Sequence, residues 1–166
     1  PTGLTGNDQQ LTEIRFTSVL AARYVRIDAR SWNSHISMRA GILIDTSGVS
    51  INQLDPAEAL RSYSSRWAND AIGTGHARSQ LASVQAWSAA RNSAGEWMQI
   101  DLGANQMIGG VVVMGRKGGG RGQYVTKVRV SVYDRAWAYM GEFKTGCTGD
   151  DKQKFELRFD RLVQGR

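Results

Sequence analysis

Residues 124–133 read YVTKVRVSVY. In an extended chain Val128, Val130 and Val132 fall on one face and Lys127, Arg129 and Ser131 on the other. That period of two marks a strand with one buried face, and β-branched valine suits the pleated surface. The alternation recurs outward from this stretch. KFELRF at 154–159 sets Phe155, Leu157 and Phe159 against Glu156 and Arg158. YVRI at 24–27 buries Val25 and Ile27, and SMRAGILI at 37–44 offers Met38, Ala40, Ile42 and Ile44. WMQIDL at 97–102 offers Met98, Ile100 and Leu102. Ile108–Met114 is an almost unbroken apolar run interrupted by Gly109 and Gly110, the pattern of a central strand with a bulge. Stretches rich in Gly, Asp and Asn punctuate these runs. Only Asp55–Leu60 reads as helix, of a turn or two, with Asp55 as cap and Pro56 in the first turn. The expected fold is all-β: an antiparallel jelly-roll sandwich or barrel with minimal helix. Val128, Val130, Val132, Ile100, Leu102, Trp97 and Ile108 are its expected core.

A second regularity concerns the whole chain. Residues 2–23, TGLTGNDQQLTEIRFTSVLAAR, reappear at 145–166 as TGCTGDDKQKFELRFDRLVQGR, without a gap. Thr2/Thr145, Gly6/Gly149, Glu13/Glu156, Arg15/Arg158, Phe16/Phe159 and Arg23/Arg166 are identical. A fixed period signals repetition, and this period is that of a domain rather than of a solenoid unit.

The 166 residues suffice for one well-buried core. A formal charge of +6 and a pI near 9.8 favour acidic partners. The basic residues are spread along the chain, so no specific nucleic-acid groove is indicated. The single cysteine, Cys147, matches Leu4 in the repeat and reads as a small apolar residue. No apolar run reaches the ~20 residues of a membrane-spanning helix.

Ala86–Trp87, Gly95–Glu96–Trp97, Asp101–Leu102–Gly103, Gly115–Arg116 and Tyr124–Val125 form a distinctive set. Ala22–Arg23–Tyr24–Val25–Arg26–Ile27 and Ser31–Trp32–Asn33 complete it. In combination, over nearly the whole chain, they resemble the discoidin domain, also called the coagulation factor V/VIII type C domain. The resemblance implies an eight-stranded jelly-roll barrel with Trp87 and Trp97 in its core. It implies a non-enzymatic domain that binds phospholipid, glycan, collagen or other proteins through loops at one barrel end. The order is rotated: the family's closing segment falls at 2–44 and its opening near 54. The expected division is therefore 1–44 as the C-terminal strands of a preceding unit, 45–53 as linker, and 54–166 as a unit lacking its last two strands. Those strands come either from residues 24–44 of the same chain, a circular permutation with one repeated strand left over, or from a next copy. The second route is favoured.

The loops matching the family's binding loops are 66–78, 89–95 and 116–122. The expected ligand-binding residues are Trp67, Asn69, Asp70, His76, Arg78, Arg91, Asn92, Arg116, Lys117 and Arg121. Trp67 offers an indole face for a sugar ring or another domain. Arg116, Lys117 and Arg121 flank three glycines in a loop suited to sulfate, phosphate or carboxylate. Arg116 is also read as a scaffold partner of Asp101. His76 and His35 read as hydrogen-bonded structural histidines. No cofactor is expected; calcium has candidate oxygens on Asp70, Asn69 and Asp45 but no D-x-D-x-D-G run. No nucleophile motif or phosphate loop occurs.

The leading expectation is a non-catalytic module in a tandem array, extracellular or at the cell surface. It would recognise a glycan, matrix protein, acidic protein surface or anionic lipid. The family's usual pair of linked cysteines is absent, which leaves an intracellular or ciliary branch as the alternative compartment. The alternative function is a structural unit of a filament or scaffold, joined to neighbouring copies head to tail by strand completion.

Overall fold

A computed structural model describes residues 12–14, 20–46, 50–117, 122–148 and 154–159. Ten strands form it: β1 (Thr12–Ile14), β2 (Leu20–Asn33), β3 (Ser37–Asp45), β4 (Ile51–Leu54), β5 (Arg61–Tyr63), β6 (Trp87–Ser88), β7 (Trp97–Met114), β8 (Tyr124–Tyr133), β9 (Trp137–Lys144) and β10 (Phe155–Phe159). Pairing is antiparallel except between β1 and β10. The fold is the expected jelly-roll sandwich; helix among the described residues is limited to the 3-10 turns Glu58–Leu60 and Trp67–Asn69.

The long strand β7 organises the sheet. One edge takes β10 at Gly110–Val113 and β2 along Trp97–Ile108. Its other edge takes β3 and β5. β2 pairs onward to β8, and β8 to β9. Val128, Val130, Val132, Ile100 and Ile108 are buried in one cluster with Trp87, and Leu102 packs against it half-exposed. Each buried Val, Ile or Leu adds about 1.5–3 kcal/mol. β3 is buried along Ser37–Ile44 because both its faces are covered. Met38, Ala40, Ile42 and Ile44 face the main cluster, while Leu43 meets Leu81, Val112 and Met114.

β2 and β3, from residues 20–45, pair with β7 and β8 of the same chain. The leftover copy of the repeated strand, β1, lies parallel on the outer edge of β10, with Thr12 opposite Leu157 and Ile14 opposite Phe159. Ile51–Leu54 form strand β4 against β3.

Two local readings need correction. Trp97 is not core. It falls out of register with buried Met98 and Ile100, so it faces outward, half-buried beneath Arg26. The Arg26 guanidinium lies 4.2 Å from the Trp97 ring centre and 4.3 Å from that of Trp137. The helical turn starts later than expected, at Glu58, and Ala57 caps it without a side-chain hydrogen bond. Asp55 instead accepts from Arg61 Nη2 at 2.8 Å and from the Leu81 N–H at 3.0 Å.

Candidate functional site

Two buried arginines anchor the loops at one end of the sandwich. Arg61, 2% exposed, donates to the carbonyls of Pro56 (3.0 Å), Ala40 (2.8 Å) and Ser79 (3.0 Å), to Ser79 Oγ and to Asp55. Burial pushes its pKa below the usual arginine value, against the raising influence of Glu58 and Asp55. Arg39, also 2% exposed, donates to Gly115 O (2.9 Å) and Leu81 O (2.7 Å). Glu58 accepts the N–H groups of Ser79 and Gln80 and the Tyr63 hydroxyl. Together these fix the base of the segment between β5 and β6, and the point where β7 ends ahead of Arg116.

Above this base lies a pocket of about 190 Å³ lined by His35, Trp67, His76, Ser88, Arg116 and Gln123. Trp67, 48% exposed, stands on a 3-10 turn and meets His35 edge-on, ring centres 5.4 Å apart. His35 occupies the β2–β3 turn; its Nδ1 donates to the Ile36 carbonyl at 3.1 Å. His76 is held by Asp70 twice, through its N–H (2.7 Å) and through Nδ1 (2.9 Å). Those two bonds hold the Asp70 carboxyl below the usual carboxylate range. A Cβ at Gly75 would collide with that carboxylate, so the tight Asp70–His76 loop requires glycine there. Arg116 donates from Nε to Gln85 (2.9 Å) and from Nη1 to Gln123 (2.6 Å), which fixes its guanidinium at the pocket wall.

The structure brings together three of the expected residues, Trp67, His76 and Arg116. Asp70 orients His76 from behind. Asn92 positions the β2–β3 turn: its Oδ1 accepts the Ile36 N–H at 2.9 Å and its Nδ2 donates to Ser34 O at 3.2 Å. Asn69, Arg91 and Lys117 are exposed and do not line the pocket. Arg78 is half-buried, with Nε enclosed and without a hydrogen-bond partner. Arg121 and Gly118–Gly120 lie outside the described residues. Arg116 does not pair with Asp101, which accepts both Arg23 Nε and Nη2 at 2.8 Å across the β2–β7 pairing. Asp45 closes β3 opposite Ile51 of β4. Among the described residues no group of three or more His, Cys, Asp or Glu side chains could hold a metal ion. Sequence reasoning missed Ser88, Gln85 and Gln123, and gave His35 only a structural role.

The F5/8 type C domain model matches residues 56–166. The chain belongs to that family. The F5/8 type C, or discoidin, domain is a non-catalytic binding module, and the pocket sits among its end loops. The chain is similar to lactadherin of Rattus norvegicus, 28% identical over 131 residues that make up 72% of this chain and 30% of the relative. Lactadherins of Bos taurus and Sus scrofa share 45% and 43% identity over 49 residues, 30% of this chain and 12% of each relative. The chain thus spans less than a third of the length of these relatives. No solved structure matches it significantly.

The turn carrying Trp67 is conformationally unusual for the discoidin chain's own residues. Ala68 and Asn69 have φ of 55° and 54°. Asparagine tolerates that region; alanine pays a steric penalty of roughly 1–2 kcal/mol there. Ala68→Gly should therefore raise the thermal midpoint, by about 2–4 °C for each kcal/mol relieved. A midpoint unchanged or lowered in calorimetry would show that the turn is not strained.

Proposed function

We propose that this domain captures a terminal sugar of a glycan in the pocket between its end loops, at the cell surface or outside the cell. The observation that carries the reading is the convergence of one exposed indole, two imidazoles and one guanidinium on a small pocket. An indole face suits the apolar face of a sugar ring. His35 donates from Nδ1 to a carbonyl, so in its neutral form Nε2 is left to accept from a hydroxyl. Arg116 keeps one nitrogen for a hydroxyl, carboxylate or sulfate oxygen. A pocket of about 190 Å³ suits one ring better than a folded oligosaccharide. Repetition of the unit in a tandem array, supported by the copy of 2–23 at 145–166, would turn a weak single site into avidity.

Titration calorimetry against a panel of monosaccharides and disaccharides tests this. Trp67→Ala and Arg116→Gln are each expected to weaken the best ligand about tenfold or more, the size expected for losing one well-placed contact. Their melting points should stay near that of the parent. Binding of anionic vesicles or of matrix protein, with no sugar bound at millimolar concentration, would replace the glycan reading.

A further inference from the structure

The outer face of β2, β8 and β9 lies outside the pocket, and its side chains fall into rows set by the strand register. Tyr133 stands between Tyr24 and Trp137, and Ser131 between Arg26 and Tyr139. Arg129 stands between Asp28 and Glu142, and Lys127 faces Lys144. One end of the face is therefore aromatic and the other basic. Trp137 is 45% and Tyr139 61% exposed.

Three features of the basic end are unbalanced within the chain. Glu142 alone answers three cations, Arg30 (3.2 Å), Lys127 (2.9 Å) and Arg129 (3.2 Å), which hold its carboxyl below the usual range. Lys127 and Lys144 are direct cross-strand neighbours, a like-charge pairing that destabilises a sheet. Arg129 Nε is enclosed without a hydrogen-bond partner. Arg26, Arg30, Lys127, Arg129 and Lys144 face only Asp28 and Glu142 as carboxylates on these three strands. A surplus of cations beside exposed rings calls for an anion that also carries flat, partly apolar units.

We propose that this face is a second binding surface, for an acidic polysaccharide, with sulfate or carboxylate groups on Lys127, Arg129 and Lys144 and a sugar ring on Tyr139 or Trp137. Successive rows are about 7 Å apart along the strands, so an extended chain spans the aromatic and basic ends together. Exposed rings favour sugar over a plain acidic peptide. The surface is independent of the end-loop pocket.

The test measures binding of the whole chain to immobilised heparan sulfate over a range of salt, with desulfated heparan, hyaluronan and polyglutamate as comparators. Lys127→Ala/Lys144→Ala should bind heparan sulfate about tenfold more weakly and with a shallower salt dependence. Tyr139→Ala should weaken binding without changing the salt slope. Arg91→Ala/Lys154→Ala removes the same charge away from the face and should leave affinity within about twofold. The double lysine variant should also be no less stable than the parent, which keeps the binding result interpretable. Hyaluronan binding equal to heparan sulfate would assign the site to carboxylate. Equal loss in both double variants, or tighter binding of polyglutamate than of any polysaccharide, would overturn the proposal.

Discussion

Arg61→Met is expected to lower stability by about 3–5 kcal/mol, the cost of breaking a buried, multiply bonded ion pair from one side. The side chain is 2% exposed and satisfies three main-chain carbonyls, a hydroxyl and Asp55 at once. Methionine fills much of the volume but donates nothing. The carbonyls of Ala40 and Pro56 then lose the arginine donor in a site that water reaches poorly, while the Ser79 carbonyl keeps the Ala40 N–H at 2.8 Å; each lost bond costs about 1–3 kcal/mol before relaxation. Arg61→Lys should recover only a minor share, because an ammonium on a flexible stem cannot reproduce the fork. Urea denaturation gives the value. A loss under about 1 kcal/mol would mean that water or a neighbouring group takes over these acceptors, since surface-like substitutions fall in that range.

Gly110→Ala is the second large effect. A Cβ at this position would run into the Leu157 carbonyl and the Arg158 Cα, both backbone atoms that cannot swing aside. β10 must then leave β7, and with it the buried Phe155 and Leu157. Losing most of two such side chains, on top of strain, amounts to about 3–5 kcal/mol. The adjacent glycine supplies the control. A Cβ at Gly109 meets the end of Ile51 at 3.1 Å, and that side chain can yield. Gly109→Ala should cost about 1 kcal/mol or less. Hydrogen exchange would locate the effect: amides of 155–158 should lose protection in Gly110→Ala and keep it in Gly109→Ala. Similar behaviour of both variants would show that β10 is not clamped by its backbone approach.

The strands were legible because one face of each is wet. YVTKVRVSVY is β8 residue for residue, and its alternating valines are the buried ones. Trp97 was misplaced although its own strand gave the answer: Met98 and Ile100 claim the inner face, and an odd-numbered neighbour must point out. Arg39 and Arg61 were illegible for a different reason. A charged residue in a strand reads as solvent-facing, and here the second face of β3 is covered by the segment carrying Leu81. Trp67, His76 and Arg116 were found from the loop pattern. Gln85, Ser88 and Gln123 were not, since isolated polar residues in loops and strand ends look alike until separate segments are brought together. Asp101 chose Arg23 over Arg116 because β2 and β7 are paired there, a contact between residues 78 apart in sequence.

The contact between Trp67 and His35 gives the domain a built-in optical reporter. Trp87 is buried, Trp32 packs half-exposed against the core, and Trp97 and Trp137 clasp Arg26. Trp67 alone among the five lines the pocket, half-exposed and edge-on to the His35 imidazole. Occupation of the pocket would shield that ring and move its emission to the blue. The intact, unlabelled domain can therefore be titrated by its own light, with Trp67→Phe as the blank.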